Sequence, residues 1–161
     1  MPKETFLPTY KGCLVCGDPQ VNPSTLQRRF RVTESGVEVD FKADFRQAGY
    51  KGIVHGGIVT ALLDETIGWA IAVDRKRLFM TAELTVRFVQ PLPIDLPVTV
   101  RGRSREHKSR YSIAEGEIVD AEGTVYAKAS GKFFLMQEEK ARQVNDYLTY
   151  LENDLNVLVR A

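Results

Sequence analysis

The stretch from Gly52 to Val73 constrains this chain more than any other. It reads Gly-Ile-Val-His-Gly-Gly-Ile-Val-Thr-Ala-Leu-Leu-Asp-Glu-Thr-Ile-Gly-Trp-Ala-Ile-Ala-Val. From Ile58 onward it is apolar on every side, and it is too long and too free of proline to be a strand. A helix that is apolar all round lies buried in protein or in a membrane. Asp64-Glu65 interrupts the run, and its wholly apolar parts are too short to span a bilayer. The stretch reads as the central buried helix of a soluble domain, and the rest of the chain has to cover it.

The start of this helix is unusual. The first N–H groups of a helix have no internal partners, and Ser, Thr, Asp or Asn usually caps them. Here the entry is His55-Gly56-Gly57, which offers no good side-chain acceptor by that rule. Two glycines also let another group approach the backbone closely. Free donors at the positive end of a helix dipole suit an anion or a developing oxyanion. The alternative is a tight strand-to-helix turn and nothing more.

Asp64 is the second unusual feature. Burying a carboxylate is costly unless it is paired or used. Its helical neighbours Gly57, Thr60 and Gly68 are small, which leaves room for a substrate or a partner chain. Glu65 lies about a hundred degrees round the helix, toward Ala61 and Trp69. The alternative is that one acid reaches solvent and the other pairs with an arginine. Gly57 and Asp64 share a face, but seven helical residues span roughly 10 Å. One small reacting group cannot touch both on the same chain. A site that uses both takes them from two protomers, so the spacing predicts a homodimer with the site at its interface, possible also within a tetramer.

His55-Gly56-Gly57 followed by Asp64 resembles the signature of hotdog-fold acyl-CoA thioesterases of the phenylacetate-pathway type, in the 4-hydroxybenzoyl-CoA thioesterase superfamily. The likeness extends to Gly49-Tyr50-Lys51-Gly52-Ile53-Val54 and to Met80-Thr81-Ala82, and it covers roughly Cys13 to Leu135. Many relatives of that type carry Asn six residues before the histidine, where this chain has Gly49. The human thioesterase superfamily members share the glycine, so the likeness is to that branch in particular.

The resemblance implies hydrolysis of an acyl-CoA thioester to free acid and CoA, with coenzyme A entering as part of the substrate and no separate cofactor. It implies that the Gly57 N–H stabilises the oxyanion and that Asp64 is general base or nucleophile. Thr81 falls where the human-type relatives carry a functional Thr, and its hydroxyl is placed to hold the attacking water. His55 shapes the turn and the oxyanion region, and Gly56 borders the substrate. A Ser-His-Asp triad is not expected, because no serine elbow is present.

Taken in order, the 161 residues suit one domain, and a formal charge of +1 implies no bulk attraction to nucleic acid. Met1 to Lys11 has no secretory pattern, and a cytoplasmic location with no membrane partner is expected. Residues 1–23 read as an irregular arm broken by Pro and Gly. Residues 24–136 read as the hotdog domain. Leu26 to Thr33 and Val37 to Phe41 alternate around a Ser35-Gly36 turn. A loop from Phe45 to Val54 leads into the helix, which ends near Asp74-Arg75-Lys76. Further strands run through Ala82–Phe88, Val98–Arg105, Tyr111–Val119 and Val125–Leu135. One long helix and a curved antiparallel sheet make an α+β fold. In residues 137–161, Val144, Leu148, Leu151, Leu155 and Leu158 recur at heptad-like spacing, which predicts an amphipathic helix of five or six turns. It packs along its own domain or pairs with a partner chain.

Cys13 and Cys16 form a lone Cys-x-x-Cys. A structural zinc site usually has four ligands, and the only histidines are His55 and His107, so no metal site is expected. Packing of the arm accounts for the pair. Arg101, Arg103, Arg105, Lys108 and Arg110 crowd two strands and the turn between them. Arg and Lys hold phosphates, and Lys108 and Arg110, at the turn, are the candidates for the phosphates of CoA. The alternative is a solvated strand face. Trp69, Phe79, Phe88 and Tyr50 are candidates to shape the acyl pocket, with no chain length specified. A non-catalytic acyl-CoA binding or regulatory protein, a hotdog hydratase or dehydratase, and an interaction protein built on the tail stay open as other functions.

Overall fold

The computed structural model describes residues 4–158. Helix α1 spans Gly56–Arg75, with His55 as its N-cap and Lys76 closing it in the left-handed conformation at φ 53°. Around it run β1 (Thr5–Phe6), β2 (Thr9–Tyr10), β3 (Arg31–Thr33), β4 (Gly36–Phe41), β5 (Phe79–Phe88), β6 (Val98–His107), β7 (Tyr111–Val119) and β8 (Val125–Leu135). A second helix, α2, covers Glu138–Asp146, and β9 is Leu148–Thr149. Among the described residues, seven strands form one antiparallel sheet in the order β1-β3-β4-β6-β7-β8-β5. This is the α+β arrangement expected from the apolar helix and the alternating strands, and the hotdog fold that the family resemblance implies.

Alternation decides which strand residues face the helix. Val37, Val39 and Phe41 of β4, Val98 and Val100 of β6, and Ala127, Ala129 and Phe133 of β8 are all buried. Leu62, Leu63, Ile67 and Ile71 of α1 are fully buried against them. The helix is long and apolar enough to cross a bilayer, but here it packs on β4, β5, β6, β7 and β8.

Close approach of helix and sheet depends on glycine. Gly102 and Gly116 are directly paired across β6 and β7. A Cβ on Gly102 would lie 2.8 Å from the Thr66 carbonyl oxygen, and one on Gly116 would lie 2.6 Å from Ile67 Cγ2. Backbone cannot yield as a flexible side chain can. Gly102→Val is therefore expected to lower stability by about 1–3 kcal/mol through overpacking, read as a fall in chemical-denaturation midpoint with unchanged slope.

Several boundaries differ from the sequence reading. The strand expected from Leu26 is only Arg31–Thr33. Gln27 takes a positive φ of 53°, and the Leu26 and Arg28 N–H groups donate to Leu14 and Val15 carbonyls of the arm instead. The arm is thus not wholly irregular: it supplies β1 and β2 and lies on the core through Leu7, Val15 and Cys16. β5 begins at Phe79, three residues before the expected Ala82. The loop after Asp44 holds a 3₁₀ turn at Phe45–Gln47, fixed by an Asp44/Gln47 capping box.

The long tail helix is corrected most. A C-terminal helix is present, but it stops at Asp146. The next residues are Tyr147-Leu148-Thr149-Tyr150, which favour extended backbone. Leu148 and Thr149 pair with Tyr10 and Thr9 of the arm. Leu155 N–H donates to the Phe6 carbonyl, and Val157 enters the core. Val144, Leu148, Leu155 and Leu158 pack on the domain itself, whereas Leu151 is exposed. Residues 159–161 of the expected helix lie outside the described residues.

Candidate functional site

The helix start is built by the loop before it. His55 N–H donates to the Gln47 carbonyl at 2.8 Å. A Cβ on Gly49 would sit 3.1 Å from His55 Cα, so the loop folds tightly over the histidine. The expectation that no side chain caps this helix is wrong. His55 Nδ1 accepts the Gly57 N–H at 2.8 Å. Imidazole is an uncommon cap, yet its δ nitrogen reaches the same N–H that a Ser or Asp oxygen would. An accepting Nδ1 places the proton of the neutral ring on Nε2. Gly57 and His55 are exposed, and the Gly56 N–H has no acceptor among the described residues. Phe88 packs beside Gly56, with ring atoms 3.3 Å from where a Cβ would be.

Two turns along, Asp64 is half-buried. Thr81 Oγ1 donates to Asp64 Oδ1 at 2.8 Å. The ladder between β5 and β8 slips between Thr81 and Glu83, and such a bulge re-aims the side chains beside it. Burial pushes the Asp64 carboxyl up from its ordinary value, and the Thr81 hydrogen bond partly offsets this. Both residues border a cavity of about 250 Å³, whose walls include Gly68, Trp69, Phe79 and Phe133. Tyr10, Val144 and Leu148 also line it. The sequence reading placed neither those three nor Phe133 in the site. Phe133 sits on the inward phase of β8, which alternation could have shown. Of the other expected wall residues, Phe88 lies at the helix start and Tyr50 is exposed.

Glu65 faces the arm. Its Oε2 lies 2.9 Å from Cys13 Sγ, and Trp69 Nε1 donates to Oε1 at 3.4 Å. The expected alternative of an arginine partner does not hold. Contact with the Cys16 thiol, aided by backbone N–H groups, pulls Cys13 down to about 5. The same contact, with burial, pushes Cys16 up. Burial, then the neighbouring Cys13, pushes Glu65 up to about 8.

The basic residues stand apart. Arg101 pairs with Glu38, and Arg103 and Arg105 pair with Glu115, on an exposed strand face. Lys108 is exposed and pairs with Glu106 at 2.8 Å. Its carbonyl accepts from Arg75, at the far end of α1, and Arg110 lies two residues on. Within one chain this turn is about 15 Å of helix away from Asp64. His107 also contacts Asp74 and Ser112, at 2.6 and 2.9 Å, in the order of a Ser-His-Asp triad. Ser112 is fully buried and accepts from Arg75, so its oxygen cannot reach a substrate.

Known proteins agree with this fold. The thioesterase superfamily pattern matches residues 51–127. A protein of Saccharolobus solfataricus, provisionally named an esterase, is 32% identical over 102 residues, covering 63% of this chain and 71% of that protein. The crystal structure of a thioesterase superfamily protein superposes with a TM-score of 0.71 at 27% identity, over 77% of this chain and 60% of that one. A Streptococcus pneumoniae protein described as a hypothetical thioesterase, solved with coenzyme A, has a TM-score of 0.61 at 20% identity, over 65% and 81%. This chain belongs to the thioesterase superfamily.

Proposed function

We propose that the protein is an acyl-CoA thioesterase of the phenylacetate-pathway type, nearest the human thioesterase superfamily members, that acts in the cytoplasm as a homodimer. The observation that carries this reading is Asp64: a half-buried carboxylate, held by Thr81, at the edge of an apolar cavity. A carboxylate kept partly desolvated is a stronger base than an exposed one, which suits a general base. The coenzyme A held by the pneumococcal structure supports the substrate class.

The acyl group lies in the cavity, and its thioester carbonyl points at the helix start of the partner subunit. There the Gly57 N–H exchanges His55 Nδ1 for the carbonyl oxygen, with Gly56 alongside, and stabilises the charge that develops on it. Asp64 takes a proton from water as the water oxygen bonds to the carbonyl carbon. Collapse of the adduct breaks the C–S bond, and the departing CoA thiolate takes up the proton. Direct attack by Asp64 to give an anhydride is the alternative route. Lys108 and Arg110 are assigned to the CoA phosphates on the outer surface, since an exposed Lys–Glu pair is weak enough to be exchanged.

The dimer reading rests on β5. It is a long edge strand with Met80 and Phe88 more than half exposed. Such an edge is a template for pairing with another chain. The cavity is smaller than the ~300 Å³ lower bound of drug-sized sites, which suits the acyl part of an ester rather than the whole CoA.

One observation favours a second reading. The Gly57 N–H is already satisfied by His55, which would suit a protein that binds CoA esters without hydrolysing them. Thiol release from a panel of short, medium, long-chain and aryl acyl-CoA esters separates the two. Release with a preference supports the hydrolase; tight binding without release supports the binder.

Thr81→Val gives a sharper check. It removes the hydrogen bond that favours the charged form, so the Asp64 carboxyl rises further. The acid limb of the kcat/KM profile is expected to move to higher pH, and the rate at neutral pH to fall roughly tenfold or more, as for a lost hydrogen bond to a charged group.

A further inference from the structure

We propose that Cys13, Cys16 and Glu65 form a binding site for a thiophilic divalent cation, Zn²⁺ by its ligand set, that clamps the N-terminal arm to α1. Sequence counting found two thiols and no third ligand. The fold supplies the third from 49 residues beyond Cys16.

The two sulfurs are delivered by a tight turn, Cys13-Leu14-Val15-Cys16-Gly17. Cys13 Sγ accepts N–H groups from Val15 and Cys16 at 3.3 and 3.4 Å, and Gly17 N–H donates to the Cys13 carbonyl at 3.0 Å. A Cβ on Gly17 would lie 2.2 Å from that carbonyl oxygen, so the turn admits only glycine there. The turn sets both sulfurs on the side that faces the helix. The ligand atoms of Cys13, Cys16 and Glu65 all lie within 4.8 Å of one another. Tetrahedral zinc, with bonds of about 2.3 Å to sulfur and 2.0–2.2 Å to oxygen, holds its ligands roughly 3.5–3.8 Å apart. Shifts of about 1 Å at the side-chain ends reach that spacing.

Chemistry and surroundings agree. Two thiolates with one carboxylate select zinc over magnesium or calcium. The outer contacts that orient such ligands are present: Trp69 Nε1 donates to Glu65, and Tyr10 N–H donates to Cys16 Sγ at 3.4 Å. Among the described residues, no Lys or Arg hydrogen-bonds or ion-pairs with these three side chains, so a cation is the fitting counter-charge. Three protein ligands leave a fourth position for water. Glu65 adjoins Asp64, so the clamp would also hold the helical turn that carries the proposed base, although it does not depend on the hydrolase reading.

The test uses the full chain under reductant, with both thiols first shown to be free by titration. Co²⁺ is added as a spectroscopic probe. The expected result is one Co²⁺ per chain with a sulfur-to-cobalt charge-transfer band, displaced by Zn²⁺. Glu65→Gln should weaken the ion's affinity about tenfold or more, and Cys13→Ser should remove the band. Zn²⁺ should raise the Tm of the wild type but not of Cys13→Ser, each compared with its own metal-free Tm to confirm folding. No band with both thiols free would overturn the site. Unchanged affinity in Glu65→Gln would overturn the clamp, leaving a Cys-x-x-Cys that chelates alone.

Discussion

Replacing Asp64 by Asn is expected to slow CoA-ester hydrolysis by about 10²–10⁴-fold, the range that a positioned general base supplies. Binding of the ester should stay near the wild-type level. Asn keeps the shape of the side chain, and its amide oxygen still accepts the Thr81 hydroxyl, so the cavity wall is preserved. What is lost is the basic and nucleophilic oxygen. Misfolding can be recognised separately. The folded-state pKa of Asp64 lies above its unfolded value, so this group's contribution favours the fold at low pH and is lost as pH rises through the folded value. Asn removes that loss, and the variant should be at least as stable as the wild type at neutral pH. A slow, stable variant with intact ester binding supports the assignment. A variant that hydrolyses at the wild-type rate removes Asp64 from the chemistry.

The second large effect is expected at the helix start. Gly57→Pro deletes the N–H assigned to the oxyanion. Proline fits the backbone of the first helical turn, where N–H groups lack internal partners, and Gly56 before it has no Cβ to clash, but the ring displaces the His55 imidazole, whose Nδ1 lies 2.8 Å from the Gly57 nitrogen. Loss of one oxyanion donor costs about 10²–10³ in kcat. The His55 cap loses its donor too, at about 1 kcal/mol of stability. Steady-state kinetics should show the fall in kcat with little change in KM. A wild-type kcat would shift the oxyanion role elsewhere, and the unpartnered Gly56 N–H would be the nearest candidate.

The legible parts of this fold are those written in local periodicity. The apolar run gave α1 to within a residue at its end, and alternation gave the inward faces of β4, β6 and β8. The illegible parts depend on pairings between distant segments. The heptad spacing of the tail was real, since Val144, Leu148, Leu155 and Leu158 do turn inward. It did not mean one helix, because β2 of the arm captures Leu148 and Thr149 as a strand. The arm likewise shortened β3 by taking the hydrogen bonds of Leu26 and Arg28. At the site, His55 was misread because capping rules are built on oxygen side chains. The Thr81–Asp64 contact was not expected: the family resemblance gave Thr81 only an attacking water to hold, and nothing in the periodicity of β5 points a threonine at a helix. Glu65 and Cys13, 52 residues apart, could be joined only by the fold.

Mixing two inactive variants tests the central claim most directly. If each site combines Gly57 of one protomer with Asp64 of the other, Asp64→Asn and Gly57→Pro fail for different halves of the site. Chains unfolded and refolded together should form heterodimers in which one site of two is intact. Random pairing then restores roughly a quarter of wild-type activity, given a symmetric dimer, whereas either variant refolded alone stays near its own residual rate. A mixture that heterodimerises but shows no more activity than the average of its parts would contradict a shared site, and with it this account of the helix start and Asp64 working together.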